Sequence, residues 1–285
     1  MGKAGAERMQ TYRLWISTPD QQGLIYKISK TLLDEGFNIE ENHEFVDKDS
    51  ALFLMRTEIV GEGRAESLEQ KLAATLPDGT AVHVIPACRK KIVLLCTKEA
   101  HCLGDILIQH DSGELEADIQ AVVGNHEVLA DLVQRFNLPF HYISHENRSR
   151  EEHEAEIIKC VDDYSPDLIV LAKYMRILTP TFVAHYGGKI LNIHHSFLPA
   201  FVGANPYKQA HQRGVKIIGA TAHVVSDDLD EGPIIAQDVE HVDHSYTWQE
   251  MRQAGRHVEK VVLTKALELL LQDRVFVFGN KTVVF

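Results

Sequence analysis

The sequence predicts an α/β protein of two domains, a small ferredoxin-like β-α-β-β-α-β module followed by a doubly wound α/β domain. Three observations carry this. Alternating and helix-spaced apolar segments follow one another as β-α-β-β-α-β within about 75 residues. Beyond the basic triplet Arg89-Lys90-Lys91, near-continuous apolar strands alternate with helices, the pattern of a sheet covered on both faces. The 285 residues are enough for two ordinary domains.

Residues 1–9 read as a disordered lead, 10–88 as the first domain, 89–91 as a short basic linker and 92–285 as the second domain. Residues 12–17 alternate like a strand, and 18–23 form a turn punctuated by Pro19 and Gly23. Leu24, Ile25, Ile28, Leu32 and Leu33 recur at helical spacing, and Gly36 suits the helix exit. Strands are expected over 39–46 and 51–59, a helix over 65–76 and a strand over 81–86. In the second domain, strands are expected over 91–97, 117–124 and 167–172, and helices over 128–136, 152–164 and 247–272. Two alternating runs around Gly279-Asn280 predict a terminal hairpin.

The chain has 41 acidic and 29 basic residues, a net charge of -12. That argues against broad contact with nucleic acid or anionic lipid. Cys88, Cys96, Cys102 and Cys160 contain no C-x-x-C pair, so neither a zinc site nor a redox motif is expected. No secretory leader, myristoylation motif or spanning segment is read, and the expected location is the cytoplasm.

Chemistry concentrates in two segments. In Leu191-Asn192-Ile193-His194-His195-Ser196-Phe197-Leu198-Pro199 the strand period of two puts Asn192 and His194 on one face. In the segment 219–233, Thr221, His223 and Val225 share a face, and the following loop carries Asp227, Asp228, Asp230 and Glu231. An amide, an imidazole and a carboxylate at strand ends can polarise a carbonyl, move a proton and orient the imidazole. No Gly-x-Ser-x-Gly elbow or other covalent nucleophile stands out, which favours direct attack by water or an amine. Asn and His at strand ends also serve as caps and turn residues, and Asp227-Asp228 reads simply as a solvated turn. A metal site at His194, His195 and His223 lacks a matching carboxylate spacing, so no metal is expected.

The run 191–199, followed by Leu229-Asp230-Glu231-Gly232-Pro233, resembles the formyltransferase fold that uses 10-formyltetrahydrofolate, a Rossmann-like domain. That motif is Asn-x-His-x-Ser-hydrophobic-Leu-Pro, then an Asp within Leu-Asp-x-Gly-Pro. The resemblance places Asn192, His194 and Asp230 on the catalytic trio and His223 on a further active-site histidine. The segment Leu171-Ala172-Lys173-Tyr174-Met175-Arg176-Ile177-Leu178 resembles the pterin-pocket segment. It implies folate contacts at Met175, Arg176, Ile177 and Leu178, with Val225 and Asp227 on the other wall.

The first 88 residues resemble an ACT domain, with Asp20, Gly23 and Leu24 at its first turn and Asn38 after its first helix. These four are the expected effector site; a purely structural dimerisation role is the alternative. An ACT domain before this module is similar to the formyltetrahydrofolate deformylases, and the segments 100–105 and 201–207 match that group. The resemblance implies hydrolysis of the linear C–N bond of 10-formyltetrahydrofolate to formate and tetrahydrofolate. Asn192 and His194 would stabilise the oxyanion, and Asp230 or His194 would activate the water. It also implies formate supply for purine synthesis, balance of the one-carbon pool, no cofactor beyond the folate, and an amino-acid effector such as glycine or methionine. The implied assembly is a homo-oligomer, a dimer of dimers. In purine transformylases of this fold a Gly/Ser-rich loop grips the acceptor's phosphate. Here the loop 97–103 lacks that run and adds Glu99, and His195 replaces the usual Pro, which fits water as acceptor. Transfer to an amine such as glycinamide ribonucleotide, and a non-catalytic folate or amino-acid sensor, are the alternatives.

Overall fold

The structure is a computed structural model and describes residues 9–200 and 206–285. The expected lead, Met9 apart, and most of the run 201–207 therefore lie outside the described residues. The chain forms two compact units, the first ending at Cys88 and the second running Arg89–Val284.

The first unit contains β1 (Gln10–Pro19), α1 (Leu24–Asp34), β2 (Phe37–Asp47), β3 (Leu52–Gly61), α2 (Ala65–Thr75) and β4 (Ala81–Pro86). The sheet order is β2-β3-β1-β4, antiparallel throughout, which is the ferredoxin-like arrangement. Leu14 and Ile16 of β1 meet Leu24, Ile28 and Leu32 of α1 and Leu68 and Leu72 of α2 in one core. Each such side chain contributes about 1.5–3 kcal/mol on burial. Ile25 and Leu33, expected on the same stripe, are 48% and 75% exposed. They fall one residue outside the i, i+4, i+8 row that Leu24, Ile28 and Leu32 occupy.

The second unit contains β5 (Lys90–Cys96), α3 (His101–Asp111), β6 (Ala117–Gly124), α4 (Ala130–Gln134), β7 (Phe140–Tyr142), α5 (Arg150–Asp162), β8 (Leu168–Ala172) and α6 (Pro180–Tyr186). It continues with β9 (Ile190–His194), α7 (Pro206–Arg213), β10 (Ile217–Val224), β11 (Ile234–His241), α8 (Trp248–Leu271), β12 (Val275–Phe278) and β13 (Lys281–Val284). The large sheet runs β11-β10-β9-β8-β5-β6-β7. Strands β7, β6, β5, β8 and β9 are parallel, but β10 lies antiparallel to both β9 and β11. The uniformly parallel sheet that the apolar runs suggest is therefore a mixed one. The terminal hairpin forms as β12 and β13.

The basic triplet is not a free linker. Lys90 and Lys91 are the first residues of β5, paired with Ala117 and Asp118, and the Lys90 ammonium is held by the Asp273 carboxylate and the Leu270 carbonyl. Both faces of the sheet are packed. Leu94 and Leu103 join Leu263 and Leu267 under α3 and α8, whereas Val93 and Leu95 join Val161 and Phe182 under α5 and α6. Strand order reverses between β5 and β8, which opens a crevice at the carboxyl ends of the strands.

Candidate active site

The antiparallel pairing of β9 with β10 sets Asn192 opposite His223 and His194 opposite Thr221. Opposite residues share a face, so two strands aim an amide and two imidazoles the same way. The loop after β10 then returns across the strand's end, where Val224 N–H donates to the Pro233 carbonyl at 2.9 Å. A Cβ on Gly232 would sit 1.8 Å from the Val224 carbonyl oxygen, so this crossing requires glycine. The returning loop delivers Asp230 in a left-handed conformation, φ 58°, which Asp tolerates better than most residues.

The hydrogen bonds define the protonation pattern. His223 Nδ1 lies 3.1 Å from the Val224 carbonyl and must donate to it, so in the neutral ring Nε2 is an acceptor. That nitrogen is 3.2 Å from Asn192 Nδ2, which takes up one amide hydrogen and leaves the other for a ligand. His194 Nδ1 stands 3.1 Å from Asp230 Oδ2, and its Nε2 is buried without a partner among the described residues. Asp230 Oδ1 is also 3.7 Å from His223 Nε2. Burial alone would raise the Asp230 carboxyl; the bond from His194 and the nearby His223 imidazole outweigh it and hold the group far below the ordinary carboxylate range.

A cavity of about 330 Å³ opens beside these groups. Its lining includes every residue the sequence pointed to in this domain: Asn192, His194, His223 and Asp230, then Met175, Arg176, Ile177, Leu178, Val225 and Asp227. Val225 lies just past the end of β10 rather than on the strand. Leu171, Tyr174 and Leu229, which belong to the two segments expected at the pocket, also line it, as do Val183 and His195, which sequence reasoning did not assign to the pocket. The wall 173–179 is irregular yet anchored. Met175 N–H donates to Thr97 Oγ1 at 2.9 Å, and Thr179 donates its N–H and hydroxyl to the buried Glu154 carboxylate. Thr179 also caps α6, with Pro180 in its first turn.

A formyl transferase family matches residues 90–267. A formyltetrahydrofolate deformylase from Escherichia coli is 55% identical over 266 residues, covering 93% of this chain and 95% of that protein. The chain belongs to the formyltetrahydrofolate deformylase family, a family of enzymes. The crystal structure of a formyltetrahydrofolate deformylase from Pseudomonas syringae superposes with a TM-score of 0.92 at 39% identity, covering 99% of this chain and 96% of that one. A glycinamide ribonucleotide transformylase from Symbiobacterium toebii matches at 27% identity and a TM-score of 0.66, covering 69% of this chain and 94% of its own. The deformylase family therefore shares both units of the chain, whereas the transformylase length corresponds to about one domain.

The expected effector residues are only partly gathered. Asp20, Gly23 and Leu24 line a cavity of about 300 Å³ in the first unit, together with Glu44, Phe45 and Phe53. Asn38 is not among its lining residues. It lies near the start of β2, and at about 3.3 Å per residue it stands about 23 Å along that strand from Phe45. No described helix is long and apolar enough to cross a membrane.

Proposed function

We propose that this chain hydrolyses 10-formyltetrahydrofolate to formate and tetrahydrofolate. The observation that carries the reading is the state of His194. One ring nitrogen is fixed by Asp230, and the other is buried and without a partner among the described residues, in a cavity that the Asn192 amide also lines. A buried acceptor without a partner costs about 1–3 kcal/mol, a penalty that a bound reactant relieves.

In this scheme the pterin sits against Met175, Arg176, Ile177 and Leu178, with Val225 and Asp227 on the facing wall. The formyl oxygen receives the free N–H of Asn192. Water attacks the formyl carbon and gives a proton to His194 Nε2. Asp230 stabilises the resulting imidazolium; as a carboxylate far below its usual range it is a weak proton acceptor itself. The C–N10 bond breaks, His194 returns the proton to N10, and formate leaves. His223 holds the amide of Asn192 in register. The folate is the substrate, and the scheme needs no further cofactor.

The same reading makes the first unit a regulatory ACT domain that binds a small amino acid in the cavity at Asp20, Gly23 and Leu24. Glycine and methionine are the first effectors to assay against formate release. The chain works in the cytoplasm as a homo-oligomer, a dimer of dimers, and its formate feeds purine synthesis and balances the one-carbon pool. The reaction is tested in heavy-oxygen water. Attack by water places one heavy oxygen in each formate; unlabelled formate, or no formate, would sink the scheme.

A further inference from the structure

On the α3 and α8 side of the crevice lies a charge cluster that the scheme above does not use. Glu259 of α8 is 1% exposed. Its Oε1 accepts the Tyr207 hydroxyl at 2.6 Å, and its Oε2 lies 2.7 Å from His101 Nε2 and 3.1 Å from Lys173 Nζ. Tyr207 is pressed so close to α8 that a Cβ on Gly255 would fall 2.1 Å from its hydroxyl oxygen. Glu99, just before α3, pairs with Arg252, with Arg256 at 3.5 Å and with His101 Nδ1 at 3.6 Å. The cluster adjoins the reacting groups. The His195 ring stands 6.2 Å from Tyr207 and stacks on His194 at 5.2 Å.

Three cationic side chains, Lys173, Arg252 and Arg256, thus converge near the amino end of α3. Without the two carboxylates, that combination would draw an anion. Both carboxylates stay ionised. Burial raises Glu259, but His101, Lys173 and Tyr207 bring it down to about 2. Burial likewise raises Glu99, and Arg252, Lys173 and Arg256 outweigh it. An incoming phosphate would have to strip cations from carboxylates that are wholly or partly buried, and a buried charge left unpaired is strongly unfavourable. A metal fits the cluster poorly. His101, Cys102 and Glu259 present donor atoms within 4.8 Å of one another, yet the Lys173 ammonium already holds the Glu259 oxygen, and burial pushes the Cys102 thiol well above its usual range.

We propose that Glu99 and Glu259 are built-in counter-ions that bar phosphate-bearing amines from the acceptor side of the site and so restrict the acceptor to water. The related transformylase is named for such an amine, glycinamide ribonucleotide. The inference rests on the hydrolytic reading for its purpose but not for its test. Binding of inorganic phosphate to the full chain is measured at constant ionic strength, by calorimetry and by the shift in melting temperature. The proteins compared are wild type, Glu99→Gln and the Glu99→Gln/Glu259→Gln double variant. Glu99→Gln should bind phosphate at least tenfold more tightly than wild type, and the double variant more tightly still, with glycinamide ribonucleotide following the same order. Equal phosphate affinity in wild type and Glu99→Gln would overturn the proposal. If the buried substitution unfolds the protein, Glu99→Gln, at a site about one-quarter exposed, decides alone. Formate release by wild type without an amine is a separate assay. Its failure beside a positive phosphate result would remove the hydrolytic reading and leave the barrier standing.

Discussion

His194 Nδ1 lies 3.1 Å from the Asp230 carboxylate while its other ring nitrogen is buried and has no partner among the described residues. One nitrogen is thereby oriented and the other left for a reactant, the logic by which a carboxylate fixes the tautomer of a working imidazole. Asp230 reaches this position through a left-handed backbone and a glycine crossing at Gly232.

Asp230→Asn keeps a residue that tolerates the left-handed backbone and removes only the charge. Formate release should fall by about 10²–10⁴-fold while folate binding persists. Asp230→Ala should add a stability loss of roughly 1–2 kcal/mol, because alanine disfavours that conformation. Urea unfolding of both variants alongside turnover separates the two effects. Near-normal turnover in Asp230→Asn removes the carboxylate from the mechanism.

Asn192→Ala deletes the amide that the scheme aims at the developing oxyanion. The expected loss is about 10²–10³-fold in kcat with KM nearly unchanged. A rise in KM with kcat preserved would mean that Asn192 binds ground state and transition state alike.

His195 gives a pH signature. Burial, then the nearby Lys173 charge, depresses its pKa from the usual 6.5 to about 4. Below 6.5 the unfolded chain takes up a proton that the folded ring refuses, so stability falls as pH drops from about 6.5 to about 4. The contribution is roughly 3 kcal/mol at most. His195→Gln should lose less stability than wild type between pH 7 and pH 4.5 in denaturant titrations. Parallel curves would show that His195 does not carry the effect.

The order of elements in the first unit was legible from apolar period and punctuation, because strands of period two and helices of period 3.6 leave different traces; in the second unit only the longer runs were, and the short β7, α6 and α7 and the strand β11 were not. Helix α3 was not read, although Cys102, Leu103, Ile106 and Leu107 form its buried row. The polar lead 97–101 reads as loop, and the helix begins inside the expected loop 97–103, at His101. The trio's motif stood in the sequence, since strand period and loop chemistry are local. The reversed direction of β10 and the Glu99–Glu259 cluster were not legible, because they depend on which distant segments meet. Asn38 illustrates the same limit: its spacing after α1 fitted the resemblance, yet the length of β2 carries it away from the cavity.

Gly232→Ala tests the loop crossing. The added Cβ meets the Val224 carbonyl at 1.8 Å, so backbone must move. The variant should lose about 1–3 kcal/mol of stability and at least tenfold in kcat, as Asp230 is displaced from His194. Full activity would show that the crossing does not position the carboxylate.

The most direct measurement is formate release from 10-formyltetrahydrofolate by the purified chain with no amine present. The account predicts one formate and one tetrahydrofolate for each substrate consumed, at a rate about 10²–10⁴-fold lower in Asp230→Asn. No formate without an amine, with the formyl group leaving the folate only as a formylated amine once glycinamide ribonucleotide is supplied, would contradict it.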